Sequence, residues 1–253
     1  MNGFAIETQA LTRRYGEQVA VDGIDLRVPA SSFYGFLGEN GAGKSTTISM
    51  LTGVLLPSSG ALRVLGLPPG DALKRRIGAV PDGLLLFDRL TGREYLIFVG
   101  RLYQLGRKES ARRADELLSA MELAGDARKL VADYSFGMRK KLALAAALIH
   151  GPELLFLDEP FEGVDAVAKA SLTALLSDLV RRGRLTVFIT SHVLEVVERL
   201  CDHVGVIHRG RLVAQGTLSG VVEGVEGAGS LTEAFVRLVG EGRGATRQLS
   251  FLP

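Results

Sequence analysis

An α/β fold with a largely parallel sheet is what this chain of 253 residues predicts. Two observations carry that expectation. Short apolar runs (FYGFLG at 33–38, IGAV at 77–80, LLFL at 154–157, TVFIT at 186–190) alternate with segments of helical periodicity, the pattern of buried strands joined by helices. A glycine-rich segment, GENGAGKST at 38–46, falls between the first of these runs and a helical pattern, which makes a strand–loop–helix unit.

Taken in order, FAIETQAL and VAVDGIDLRV at the start read as an antiparallel β layer. Between about 90 and 150 there is no convincing strand. Thr91 and Glu94 form a capping box ahead of YLIFVGRLYQLG, the reciprocal arrangement that opens a helix. SARRADELLSAMEL then places Ala114, Leu117, Leu118 and Met121 on one face, and YSFGMRKKLALAAALI follows. These three helices predict a helical subdomain at about 84–150, inserted between strands. Leu172, Leu175, Leu176, Leu179 and Val180 predict a helix over 166–182, with Asp165 as N-cap and Gly183 as its stop. Past residue 217 the chain turns Gly-rich, in GVVEGVEGAGS, before a last helix in LTEAFVRLVGE and a tail expected to fray. The expected division is a principal domain over 1–220 and a C-terminal helix and tail over 221–253.

Composition narrows the function. Hydrophobic residues at 47% and charged residues at 23% are those of an ordinary globular protein. A net charge of +2, with Lys and Arg scattered, leaves no electrostatic footprint for nucleic acid. The single Cys201 excludes a disulfide within the chain and suits a reducing compartment. The start has no apolar core of signal-peptide length, and no apolar run approaches the ~20 residues of a membrane helix. A cytosolic protein is expected, unless something else brings it to a membrane.

Three motifs carry chemistry. GENGAGKST fits G-x-x-x-x-G-K-[ST] in its required strand–helix context. Its glycines let backbone amides crowd around phosphates, Lys44 brings charge to the β and γ phosphates, and the Ser45 hydroxyl can ligate Mg²⁺. LLFLDEP at 154–160 is a strand that ends in two carboxylates. Asp158 would hold the Mg²⁺ and Glu159 would polarise the attacking water. TVFITSH delivers His192 to a strand end, where open α/β sheets place their ligands, and a γ-phosphate contact is the favoured role. YSFGM raises a different question. A serine, a glycine and a helix start make a second anion site, remote in sequence from the first.

The order phosphate loop, YSFGM, LLFLDEP, FEGVD, TSH resembles that of the ATP-binding cassette (ABC) ATPases, over about residues 3–220. The resemblance implies an ABC ATPase core with an antiparallel β layer and an inserted helical subdomain. Gly38, Glu39, Asn40, Gly41, Ala42, Gly43, Lys44, Ser45 and Thr46 match the nucleotide-binding Walker A loop, and Tyr15 matches the aromatic that stacks on adenine. Asp158 and Glu159 match the Walker B aspartate and catalytic glutamate, and His192 the switch histidine. Ser135, Phe136, Gly137 and Met138 match the signature motif, which faces the ATP of a second cassette, and Asp165 matches the D-loop aspartate. The resemblance is to single-cassette ATPases of drug, polysaccharide and cell-surface exporters. It implies an ATP-hydrolysing subunit with ATP and Mg²⁺, paired as a homodimer on the cytoplasmic face of a membrane, with separate membrane subunits.

The chain departs from the family pattern at three places. The signature reads YSFGM, without the first glycine and the glutamine. Glu162 adds a charge to the D-loop. Asp82, in AVPDG, stands where the family usually has a glutamine, sometimes a glutamate, that reaches the metal and the attacking water. Aspartate is shorter and charged, and the resemblance makes it a candidate metal ligand with Ser45 and Asp158. A regulatory cassette with little turnover, or a soluble ABC ATPase, stays open at this point. A soluble ABC ATPase acting on ribosomes or DNA usually carries two cassettes, a coiled coil or basic extensions, which this sequence does not show.

Overall fold

The structure is a computed structural model that describes residues 3–161 and 163–240. Glu162 and the C-terminal tail from 241 onward, expected to fray, lie outside the described residues.

The chain begins in an antiparallel layer. β1 (Phe4–Tyr15) pairs with β2 (Gln18–Ile24) along its second half and with β3 (Arg27–Pro29) near its start. Ile6 and Thr8 turn inward by alternation, and an irregularity at Ala10, φ +46°, changes the phase so that Leu11 is also buried; Ile6 and Leu11 join a core with Val21, Ile24 and Val28. β4 (Phe33–Leu37) then enters a second sheet and is followed by α1 (Lys44–Leu51). β5 (Ser59–Val64) returns to pair with β1, and α2 (Asp71–Lys74) leads into β6 (Ile77–Val80).

Three helices follow before the next strand: α3 (Gly92–Leu102), α4 (Arg107–Ala120) and α5 (Phe136–Leu148). Both halves of the expected capping box form, Glu94 N–H donating to Thr91 Oγ1 and Thr91 N–H to Glu94 Oε2. Arg93 grips Asp115 with two hydrogen bonds of 2.6 and 2.9 Å, tying α3 to α4. An exposed pair of this kind is worth about 1 kcal/mol or less. Burial of Leu96, Ala114, Leu118, Met121 and Leu142 stabilises the helices more, at about 1.5–3 kcal/mol for each large side chain.

The remainder is β7 (Leu154–Asp158), α6 (Ala166–Arg181), β8 (Thr186–Ser191), α7 (Leu194–Leu200), β9 (His203–His208), β10 (Arg211–Thr217), α8 (Leu218–Glu223) and α9 (Leu231–Gly240). The second sheet has the order β10-β9-β4-β8-β7-β6, parallel throughout except for the β9–β10 pair. Every residue of β4, β7 and β8 is buried, which is why these runs are continuously apolar rather than alternating. One face carries Tyr34, Phe36, Phe156 and Phe188 against the antiparallel layer, with Tyr34 and Phe188 stacked at 5.5 Å. The other carries Leu37, Val80, Leu157 and Ile189 against α3 and α5.

Register sets the functional edge. Leu37 lies opposite Ser191, and Asp158 opposite Thr190. The segments after β4, β7 and β8 therefore leave the sheet at one level, at its carboxyl edge, beside the point where neighbouring strands are no longer consecutive in the chain.

Three sequence expectations need correction. The Gly-rich stretch past 217 is not all loop: Thr217 Oγ1 accepts the Gly220 amide at 3.1 Å, starts α8, and lets Val221 bury. Two further strands, β9 and β10, extend the sheet beyond the expected set; β9 is buried along its middle, whereas β10 alternates at the sheet edge. The helix expected over SARRADELLSAMEL starts three residues earlier, at Arg107, and ends at Ala120. Elsewhere β1 runs on to Tyr15, four residues past FAIETQAL, the helix opened by Thr91 ends at Leu102 rather than Gly106, and β5, α2 and α7 lie outside the expected set. Gly183, at φ +65°, does follow α6, and the Asp165 carbonyl accepts the Lys169 amide in its first turn.

Candidate nucleotide site

Between β4 and α1 the loop wraps tightly enough to demand glycine at two positions. A Cβ at Gly38 would lie 2.6 Å from the Ile207 carbonyl oxygen, and one at Gly43 would lie 2.5 Å from that of Ala20. Gly43 also holds φ +109° as the residue before α1 and offers no side-chain cap. The first-turn amides of α1 are thus left for a ligand, at the positive end of the helix. Gly43→Ala should impose both the left-handed strain and the backbone clash, about 1–3 kcal/mol. ATP affinity should fall by roughly 10- to 100-fold in a nucleotide titration; unchanged affinity would contradict this account of the loop.

Lys44 is the first residue of α1 and is buried. Its Nζ donates to the carbonyls of Gly38 (2.8 Å) and Glu39 (3.2 Å) and lies 4.0 Å from Glu159 Oε1. Burial lowers its pKa, opposed by the negative charges of Glu159 and Asp158. The ammonium is held inside the loop it would serve.

A cleft of about 530 Å³ opens over this loop. Asn40, Gly41, Gly43, Lys44, Ser45 and Thr46 line one side, Asp82, Asp158 and Glu159 another, and Tyr15 the mouth. Tyr15 is 48% exposed, with the Arg13 guanidinium 4.7 Å from its ring centroid. Asp158 is buried and accepts a 2.5 Å hydrogen bond from Thr190 Oγ1, which in turn accepts the Glu159 amide at 3.2 Å. Glu159 has φ +48°, a left-handed conformation that a non-glycine residue keeps only when its surroundings impose it. His192 Nδ1 stands 3.0 Å from Glu159 Oε1, yet that buried oxygen has no satisfied hydrogen bond. The contact is close without being well aligned.

The signature residues lie elsewhere. Ser135 is exposed and caps α5, accepting the Met138 amide at 3.3 Å. Phe136 is exposed, and the nearest atom to a Cβ at Gly137 would be Asp165 Oδ2, 3.9 Å away. None of residues 135–138 lines the cleft.

Sequence reasoning missed part of the lining: Gln18, Val19, Ala20, Arg209 and Gly210. Gly210 N–H donates to Ala42 O at 3.0 Å, and Asp22 N–H donates to Gly210 O at 2.8 Å. The β9–β10 turn is thereby sewn to both the phosphate loop and the first hairpin. No local motif marks Arg209, because its place depends on a turn far along the chain.

A parallel sheet with this loop after β4 and an acid-tipped strand, β7, one strand removed beyond β8 defines a nucleoside-triphosphate-binding protein. Residues 21–162 match the ABC transporter family. The chain is 39% identical over 213 residues to the bacitracin transport ATP-binding protein of Bacillus licheniformis, covering 83% of this chain and 69% of that one. It is 42% identical over 216 residues to a daunorubicin resistance ATP-binding protein of Streptomyces coeruleorubidus, covering 84% and 68%. A solved ATP-binding subunit of an ABC transporter superposes with a TM-score of 0.85 at 30% identity, over 92% of this chain and 99% of that one. The chain belongs to the ABC transporter family. It is an ATP-binding subunit of that family, an ATPase whose activity is coupled to transport.

Proposed function

We propose that this chain hydrolyses MgATP for an exporter, as one of two identical cassettes on the cytoplasmic face of a membrane, bound to separate membrane subunits. The name of another similar protein, the Nod factor export ATP-binding protein I of Neorhizobium galegae, 39% identical over 226 residues, supports export. Among the described residues no helix is long and apolar enough to cross a membrane.

In this reading the α1 amides and Lys44 hold the β and γ phosphates, and Tyr15 stacks on adenine. Ser45, Asp158 and Asp82 face the cleft with oxygen ligands suited to Mg²⁺, which takes few protein groups and completes its shell with water and phosphate. No group of three His, Cys, Asp or Glu is arranged to hold an ion alone among the described residues, which fits a metal shared with substrate. The bound ion would neutralise charge on the β and γ phosphates. Glu159 accepts a proton from water as its oxygen attacks the γ-phosphorus. The bond from that phosphorus to the β-phosphate oxygen breaks, giving ADP and phosphate. His192 steadies the γ-phosphate and the Glu159 carboxylate.

The observation that carries the paired arrangement is the outward-facing cap at Ser135. A hydroxyl and helix-start amides aimed away from their own cleft would serve the ATP of a second chain, packed head to tail with Asp165 at the junction. Mixing Lys44→Ala with Ser135→Arg, at an ATP concentration at which neither alone releases phosphate, tests this. A mixed dimer has one intact composite site, and phosphate release should return to at most about half the wild-type rate per mixed dimer if sites act independently. ATP-induced heterodimerisation is measured alongside. With neither activity nor heterodimer on mixing, the composite site is wrong.

A further inference from the structure

Lys140 sits one turn into α5 and is 3% exposed. A lysine so enclosed is rare unless paired, because burying an ammonium without compensation is costly. Among the described residues its Nζ meets no carboxylate. It donates to the backbone carbonyl of Glu159 at 2.9 Å and lies 5.4 Å from the Phe136 ring centroid. The charge is spent on one main-chain oxygen, that of the residue held at φ +48°.

We infer that Lys140 is a positioning residue for hydrolysis, which clamps the Glu159 backbone in its left-handed conformation from the signature helix. This rests on Glu159 being the general base. The Glu159 peptide is held from both sides, its N–H by Thr190 Oγ1 and its C=O by Lys140 Nζ. Fixing both ends fixes the direction in which the side chain leaves, toward Lys44 and the cleft. Release of the carbonyl lets φ relax to negative values and swings the carboxylate off line, and misplacement by about 1 Å can cost 10²-fold in rate.

The same helix carries a second link. A Cβ at Gly163, φ +67°, would lie 2.6 Å from Phe136 Cε1, so the signature phenylalanine packs flush on the segment that follows the acid pair. Phe136 also lies beneath the Lys140 ammonium. A ligand that shifts the start of α5 therefore moves both the donor on the Glu159 carbonyl and the ring against Gly163. Signature occupancy and the aim of the base are joined by contact.

The test compares Lys140→Met, which keeps length and removes the donor, with Lys140→Arg, which keeps a donor. Steady-state ATPase of the full chain should show kcat for Lys140→Met reduced about 10- to 100-fold with KM for ATP within about 3-fold, and substantial recovery in Lys140→Arg. In a Glu159→Gln background Lys140→Met should add little further loss, since the base it aims is gone. Full turnover in Lys140→Met, a loss equal in Lys140→Arg, or an additive loss in Glu159→Gln overturns the inference. If Lys140→Met does not fold, Lys140→Leu, apolar and without a donor, carries the same comparison against Lys140→Arg. Near-normal turnover in Glu159→Gln alone overturns instead the assignment of the base, so the two failures are told apart.

Discussion

Glu159→Gln is expected to bind ATP at least as well as the wild type while its kcat falls about 10²–10⁴-fold, or roughly 3–5 kcal/mol of barrier at 1.36 kcal/mol per tenfold. The substitution changes neither the shape of the side chain nor the two hydrogen bonds on its backbone, from Lys140 and to Thr190. What it removes is a carboxylate oxygen, buried beside Lys44 and His192 at 4.0 and 3.0 Å, the group assigned to take a proton from water. It also removes a negative charge from a cleft that would receive a triphosphate, so binding should tighten rather than weaken. Single-turnover phosphate release and equilibrium nucleotide binding, measured on the same preparation, separate the two effects. Near-normal turnover would take the catalytic role from Glu159.

Lys44→Ala should fail at the earlier step. The ammonium is the one long cation built into the phosphate loop, and its hydrogen bonds to the Gly38 and Glu39 carbonyls hold it at 2.8 and 3.2 Å before any phosphate arrives. Hydrogen bonds to charged groups contribute about 1.5–3 kcal/mol each, so ATP affinity should fall by about 10- to 100-fold. Without Lys44, Asp158 and Glu159 face the incoming phosphates with less compensating charge, which adds to the loss. AMP, which lacks the phosphates that Lys44 reaches, should bind the variant and the wild type alike. Calorimetric titration with both nucleotides makes the comparison, and equal losses for ATP and AMP would mean that the loop had collapsed rather than lost a contact.

Much of this fold and site is legible along the chain. The run FYGFLG followed by GENGAGKST, the acids ending LLFLDEP and the histidine ending TVFITSH are each local, because a strand buried on both faces must be continuously apolar and its end is marked where polarity returns. Thr91 with Glu94, and Ser135 ahead of α5, are local for the same reason: a cap needs only its own first turn. The tertiary structure decided what depends on distance through space. The strand order brings Asp158 and Thr190 side by side, sets the β9–β10 turn and Arg209 against the phosphate loop, and runs Lys140 under the Glu159 carbonyl. The left-handed φ of Glu159 is of this kind too. No residue near it in sequence demands that conformation, and the two hydrogen bonds that hold its peptide come from β8 and α5, which meet it only once the sheet and the inserted helices have packed.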